Sequence, residues 1–177
     1  MLFRSAEVVD AHRVRLLNDG RVVSAKNILV ATGSSPELEP RIPGLEHAVS
    51  SNGIFDLAEF PHRLLVVGGG YIAVEFASVF ARLGARVTQV MRADNVLRGF
   101  DDDMRAGVRD AMKHAGVDLR FGVLPTGIEK TPEGLRVALA GGETITVDQV
   151  LIATGRRPHT RGLGLENAGV EVDGDGA

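Results

Sequence analysis

The sequence predicts an α/β protein: a three-layer arrangement around a parallel sheet, with an antiparallel β-meander on one side. Three observations predict it. Leu64–Val67 is a short apolar run that ends in Gly68-Gly69-Gly70 and opens into helical periodicity up to Leu83. Arg86–Met91, a capped helical stretch and Val117–Val123 then repeat the alternation of strand and helix. Finally, Ile128–Thr131, Leu135–Ala140 and Thr144–Val147 alternate apolar and polar residues and are joined by Pro132-Glu133-Gly134 and Gly141-Gly142-Glu143, the pattern of a meander.

The elements follow in order. Ala6–Asp10, Arg13–Leu17 and Arg21–Ser24 read as short strands, with Asn18-Asp19-Gly20 as a turn. Residues 28–33, Ile-Leu-Val-Ala-Thr-Gly, read as a buried strand stopped by Gly33 and Pro36. Residues 34–50 carry Pro36, Pro40 and Pro43 and read as an extended connector. Asn52–Glu59 suggests a short helix ended by Pro61. Tyr71–Leu83 places Ile72, Phe76, Val79, Phe80 and Leu83 on one apolar face, with Gly84 as the stop. Asp101-Asp102-Asp103 suits the start of a second helix, because acids there satisfy free N–H groups and match the dipole. Adjacent helical residues point in different directions, which argues against a metal site in these three acids. Met104, Val108, Ala111, Met112 and Ala115 form the stripe of that helix, which Gly116 closes. Leu64–Val67 is expected at the centre of the sheet, flanked by 86–91 and 117–121, and Val150–Ala153 is its last strand. The tail from Gly155 is polar and rich in glycine.

Composition bounds the function. The chain has 177 residues, a net charge of −3, 44% hydrophobic and 24% charged residues, which is ordinary for a soluble globular protein. No basic block suggests nucleic acid. It contains no cysteine, which excludes disulfides, thiolate metal sites and thiol catalysis within the chain. Its five histidines are scattered, so no metal site is expected. No apolar segment follows Met1-Leu2-Phe3-Arg4, and the most apolar stretch, 64–83, is interrupted by glycines and Glu75. The default compartment is therefore cytoplasmic, and no membrane partner is expected.

The chemistry is concentrated in Gly68-Gly69-Gly70-Tyr71-Ile72-Ala73, a GxGxxA turn between a strand and a helix. Gly68 permits the tight turn. Gly70 allows a phosphate to approach the backbone, and Ala73 allows close helix–strand packing. The free N–H groups at Tyr71 and Ile72 and the positive end of the helix dipole suit a pyrophosphate. A plain strand-to-helix turn is the bland alternative. The core is thus a Rossmann-like three-layer parallel sheet. Its second strand ends about 20 residues further on, at the position that faces the adenosine ribose. An acid there would accept from a 2′-hydroxyl. This chain has Met91 and Arg92 at that point, with Arg98 beyond. Two guanidinium groups suit a 2′-phosphate, which argues for NADP(H). The plainer alternative is two solvated surface arginines; Asp94, the nearest acid that could serve an NAD ribose, lies beyond the strand end and ranks lower.

Gly70-Tyr71-Ile72-Ala73-Val74-Glu75, Met91-Arg92 and Val96-Leu97-Arg98-Gly99-Phe100-Asp101 together resemble the NADPH domain of the glutathione-reductase branch of the flavin-dependent pyridine nucleotide–disulfide oxidoreductases. The resemblance covers most of the chain. Within it, Ile28–Pro36 and Val150–Pro158, both containing Ala-Thr-Gly, resemble the points where the chain leaves an FAD domain and returns to it. It implies three regions: 1–50 as a partial FAD-domain segment and connector, 51–152 as the NADPH-binding domain, and 153–177 as the start of the return to the FAD domain. It implies that Tyr71 gates the flavin and that Glu75 pairs with a lysine near a redox disulfide. It also implies that Gly155 meets the nicotinamide end, and that Thr32, Gly33 and Ala6 touch FAD. The expected cofactors are NADPH and, in a complete enzyme, FAD. The expected substrate is a small disulfide, and the family's enzymes are homodimers. No catalytic residue is expected in this chain, which should bind NADPH without turnover. A dihydrolipoamide dehydrogenase- or mercuric reductase-like domain is the alternative within enzymes; a non-catalytic nucleotide-binding module is the alternative outside them.

Overall fold

A computed structural model describes residues 6–177, so Met1–Arg4 and the reading of them as no signal peptide lie outside the described residues. The chain divides into two compact units. One comprises Pro36–Gly155. The other joins the segment up to Ser35 with Arg156–Ala177.

In the smaller unit, β1 (Ala6–Asp10), β2 (Arg13–Leu16) and β3 (Val22–Ser24) form an antiparallel sheet in that order, as the alternation and the Asn-Asp-Gly turn predicted. Residues 28–33, by contrast, form no strand. Leu29 is 89% exposed and Val30 is 42% exposed, so this run is not buried either. A strand needs a neighbouring ladder for its N–H and C=O groups and an apolar layer for its side chains. Residues 28–33 join no strand ladder among the described residues, although the Gly33 carbonyl accepts the His159 amide, so their apolar character alone does not make a strand. Chain regularity resumes at β4 (Ser34–Pro36).

The larger unit is built on a five-stranded parallel sheet. The stretch expected as an extended connector instead holds a 3₁₀ turn, Leu45–His47, and a two-residue strand β5 (Val49–Ser50) that joins the sheet edge. The short helix expected over Asn52–Glu59 is a 3₁₀ turn of Gly53–Asp56. Then come β6 (Arg63–Val67), helix α1 (Tyr71–Arg82), β7 (Arg86–Met91), helix α2 (Asp102–His114) and β8 (Asp118–Phe121). The meander follows as β9 (Pro125–Thr131), β10 (Gly134–Leu139) and β11 (Thr144–Val147), and β12 (Gln149–Ile152) returns to the sheet. The strand order is β5-β12-β6-β7-β8, all parallel. β6 is central, as expected, but its two neighbours are β7 and β12; β8 lies outside β7. Sequence order could not reveal that the last strand inserts beside the first long one.

Alternation along β6 divides the core into two layers. Leu64 and Val66 pack on the helix side with Ala73, Ala77, Phe80 and Met112. Leu65 and Val67 pack on the meander side with Ile128, Val137, Leu139 and Val147. The helix faces differ from the expected stripes. In α1 the buried residues are Ala73, Val74, Ala77 and Phe80, whereas Val79 is 52% and Leu83 is 64% exposed. Small residues face the sheet because they let helix and strand approach closely, so the larger apolar residues are displaced to the flank. In α2 only Met112 is buried, and Met104 is 63% exposed. Asp101 caps α2 as predicted, its Oδ1 accepting from the Asp103 and Met104 amides at 3.1 and 3.2 Å.

One side-chain cluster ties the start of β6 to the start of β12. The Arg63 guanidinium donates to Asp148 through Nε at 2.9 Å and to the Glu133 carbonyl at 2.7 Å. The Asp148 carboxylate also accepts the Arg63 amide at 2.8 Å.

In the smaller unit, the returning chain forms β13 (Arg156–Pro158), which pairs with β4, and a 3₁₀ turn at Leu165–Ala168. This tail is more structured than its polar, glycine-rich composition suggested. The Val8 amide donates to the Leu163 carbonyl at 2.7 Å, and Asn167 Nδ2 donates to the Val8 carbonyl at 2.9 Å.

Candidate functional site

A cleft of about 700 Å³ opens in the larger unit at the carboxyl ends of its parallel strands. Its floor is Gly68-Gly69-Gly70 after β6. One wall is Met91, Arg92, Ala93, Asn95 and Arg98 after β7; the other includes Leu124 and Thr154 beyond β8 and β12. The turn follows the central strand, where the chain order of neighbouring strands reverses. This is where open α/β sheets take ligands.

The glycines differ in what they do. Gly68 has φ +134°, and a Cβ there would lie 2.2 Å from the Ala153 carbonyl oxygen. Only glycine fits, because the neighbouring strand end runs against the turn. A Cβ at Gly69 would lie 3.0 Å from Met91 Sδ. A Cβ at Gly70 would meet nothing within 4 Å. Packing within the protein therefore requires glycine at Gly68 but not at Gly70, which lines the open cleft.

The turn is held from behind. The Gly68 amide donates to the Val90 carbonyl at 2.9 Å, and the Leu97 amide donates to the Gly69 carbonyl at 2.7 Å. Helix α1 then begins at Tyr71 with Gly70 as its N-cap, no side-chain cap and no acid in its first turn. Helix α2 is the contrast, with Asp101 as cap and Asp102 and Asp103 following. The N-terminus of α2 is satisfied by its own carboxylates, whereas that of α1 presents uncapped N–H groups.

Arg92 and Arg98 are both exposed, and both line the cleft. Neither forms an ion pair or hydrogen bond among the described residues. Asp94 is exposed and is not part of the lining. The segment between the arginines is pinned. Val96 and Leu97 are buried, Leu97 adopts φ +55°, and Arg105 Nε donates to the Val96 carbonyl at 2.9 Å. A left-handed leucine is uncommon and is maintained only where its surroundings fix it.

The structure thus gathers Gly68, Gly70, Arg92 and Arg98 around one cleft. Tyr71 is 55% exposed at the start of α1, and Glu75 is exposed one turn later. Ile72 is half-buried against the helix-side core. None of these three lines the cleft. The Gly155 carbonyl accepts the Glu37 amide at 2.9 Å, beside the cleft-lining Thr154, whose hydroxyl donates to the Glu39 carbonyl at 2.9 Å. Thr32 and Gly33 belong to the smaller unit. There the Thr32 hydroxyl donates to the His159 carbonyl at 2.6 Å, and the Gly33 carbonyl accepts the His159 amide at 2.9 Å.

Sequence reasoning missed Asn95, Leu124 and Thr154 as lining residues. The Ala-Thr-Gly that contains Thr154 was the available signal. It also missed Gln89, whose Nε2 donates to the Gly68 carbonyl at 2.9 Å. No group of three or more acids or histidines among the described residues is arranged to hold a metal, and no described helix is long and apolar enough to cross a membrane.

Residues 2–177 match the family model described as pyridine nucleotide-disulphide oxidoreductase. The chain is 44% identical over 172 residues to a glutathione reductase of Burkholderia cepacia, which covers 97% of this chain and 38% of that protein. It is 42% identical over 177 residues to a dihydrolipoamide dehydrogenase of Chaetomium thermophilum, covering 93% of this chain and 34% of that one. Its fold matches the HOCl-induced flavoprotein disulfide reductase RclA from Escherichia coli with a TM-score of 0.83 at 33% identity, over 98% of this chain and 40% of that one. The chain therefore spans about two-fifths of the length of these relatives.

Proposed function

Because the chain belongs to the pyridine nucleotide-disulphide oxidoreductase family, whose cofactors are a nicotinamide nucleotide and a flavin, we propose that its cleft binds NADPH as the hydride-donor side of a glutathione-reductase-like flavoenzyme. One observation carries this reading: two exposed, unpartnered arginines share a cleft with an uncapped helix N-terminus. The uncapped N–H groups of α1 suit the pyrophosphate, with Gly70 leaving room for it. Arg92 and Arg98 suit the 2′-phosphate, because each guanidinium is a permanently charged planar fork.

The donor set fits this cofactor. Its phosphates carry negative charge, and the cleft's free polar groups are amides and guanidinium groups. When bound, the nicotinamide supplies a hydride; the protein's part is to fix its distance and face. Gly68 and Gly70 shape the turn, α1 neutralises the pyrophosphate, and Met91 replaces the acid that an NAD ribose would need. In this reading Tyr71 stands over the nicotinamide end as a gate. Glu75, on the same face of α1, awaits a cationic partner. Gly155 lies at the far end of the dinucleotide.

The fit to a flavin is different. Among the described residues, only α1 follows a glycine turn from a parallel strand, and the polar groups of Thr32 and Gly33 bond within their own unit. The disulfide substrate is proposed by likeness to the glutathione reductases.

A second reading is a dihydrolipoamide dehydrogenase-like domain with NADH in place of NADPH. Met91-Arg92 at the end of β7 argues against it. Titration calorimetry of the chain with NADPH and with NADH separates the two. Preference for NADPH is expected. Equal affinity, or preference for NADH, would sink the proposal.

A further inference from the structure

Gln89 is fully buried in the middle of β7, opposite Val66 of β6. Its neighbours on the same face of the strand, Val87 and Met91, belong to the helix-side apolar core. Its Nε2 donates to the Gly68 carbonyl at 2.9 Å, and its Oε1 has no hydrogen-bond partner among the described residues. The orientation of the amide is fixed by chemistry, since a flipped group would set two carbonyl oxygens against each other. Leaving a buried acceptor unpaired is costly. A leucine would fill similar space without that cost, so packing does not explain an amide here.

The Gly68 carbonyl does explain it. A trans peptide is planar, and its C=O and N–H point in opposite directions. Holding the Gly68 carbonyl towards the core therefore turns the Gly69 N–H away from the core, on the side of the cleft that Gly69 lines. Leu97 does the same one peptide later, because its amide holds the Gly69 carbonyl and so orients the Gly70 N–H. Two consecutive peptide planes are clamped from behind by donors that do not themselves line the cleft.

We infer that Gln89 is a positioning residue for anion binding: it presets the Gly68–Gly69 peptide so that the turn offers an N–H to the pyrophosphate of a dinucleotide. This rests on the dinucleotide reading of the cleft. It makes a prediction distinct from simple packing, because only ligands that reach the turn should sense Gln89.

The test uses the 177-residue chain, Gln89→Leu, and two probes. NADPH engages both the turn and the arginines. Adenosine 2′-monophosphate carries a 2′-phosphate but no pyrophosphate. Calorimetry should show NADPH affinity falling by about tenfold in Gln89→Leu, the effect of one misoriented hydrogen bond, with 2′-AMP affinity unchanged. The melting temperature should change little, because losing the unpaired Oε1 offsets losing the donor to the Gly68 carbonyl. Gln89→Met, unbranched and of similar length, gives the same comparison should the leucine variant not fold. Unchanged NADPH affinity in the variant would overturn the assignment. A lowered melting temperature with equal losses for both probes would also overturn it, marking Gln89 as a packing residue. If the unmodified chain binds neither probe, the dinucleotide reading fails and this inference falls with it; that outcome is visible before any variant is made.

Discussion

The amide of Leu97 donates to the carbonyl of Gly69 at 2.7 Å, so the loop that carries Arg98 is bonded directly to the glycine turn. The two halves of the proposed cofactor site are therefore one mechanical piece. Displacing the loop changes the peptide plane of the turn, and displacing the turn moves the arginine next to Leu97.

The arginines should decide cofactor choice. Arg92→Ala and Arg98→Ala should each weaken NADPH binding by about ten- to a hundredfold, the range for a charge-assisted contact to phosphate. NADH affinity should change little. Calorimetry with both nucleotides checks this, and the NADPH effect should shrink as salt is raised. Variants that kept the original preference would reduce both arginines to surface residues.

Gly68 and Gly70 should behave in opposite ways. Gly68→Ala puts a methyl group 2.2 Å from the Ala153 carbonyl at φ +134°, so the strand ends must separate. A loss of roughly 2 kcal/mol or more in unfolding free energy is expected. Gly70→Ala places its methyl group more than 4 Å from any other side chain or strand among the described residues, so thermal unfolding should stay within a few degrees of the unmodified chain while NADPH binding falls. Intact NADPH binding in Gly70→Ala would mean that the phosphates lie elsewhere.

The Arg63–Asp148 cluster should make acid stability depend on one carboxylate. Burial pushes the Asp148 pKa up, but the Arg63 side-chain and backbone hydrogen bonds outweigh it and hold the group below its ordinary value of 3.8. A lowered native pKa stabilises the fold above the unfolded value, and that contribution is lost as pH falls below 3.8 through the native pKa. Asp148→Asn should therefore cost roughly 1 kcal/mol at neutral pH, allowing for the partial exposure of both side chains. The difference from the unmodified chain should narrow in acid. Urea unfolding at neutral and acid pH reads it directly.

Turnover should be absent from the chain alone. It contains no cysteine to take electrons from a hydride and pass them to a disulfide. Mixed with NADPH and oxidised glutathione, it should leave nicotinamide absorbance constant. Steady loss of absorbance without added flavin would reveal chemistry in these residues that the present reading does not contain.

The sequence made the site legible where local pattern and local geometry coincide. Gly68 and Gly70 sit within one strand–helix–strand unit and Arg92 and Arg98 in the loop that directly follows it, so short sequence spacing brings them together. The Asp101 cap was legible for the same reason. Thr154 and the insertion of β12 beside β6 were not, because they depend on strand order, which local periodicity does not encode. Val79 and Leu83 misled because hydrophobicity marked them as core. The sheet instead takes the small face of α1 at Ala73 and Ala77, where close approach matters more than side-chain size. Residues 28–33 misled because an apolar run shows the capacity to pair, not the presence of a partner.

The central strand has one neighbour close in sequence and one far away: β12 meets β6 through contacts such as Asp148 with Arg63, 85 residues apart. The Ala153 carbonyl that closes on Gly68 arrives with that distant strand. During synthesis the glycine turn emerges early, but the sheet around it stays open until β12 has been made and has threaded between β5 and β6. Long-range pairing of this kind is slow compared with local hairpins and helices. If the cleft holds a nucleotide as proposed, its capture is a late event in the folding of this chain, and a ribosome-bound nascent chain ending before β12 should form the meander yet fail to retain NADPH.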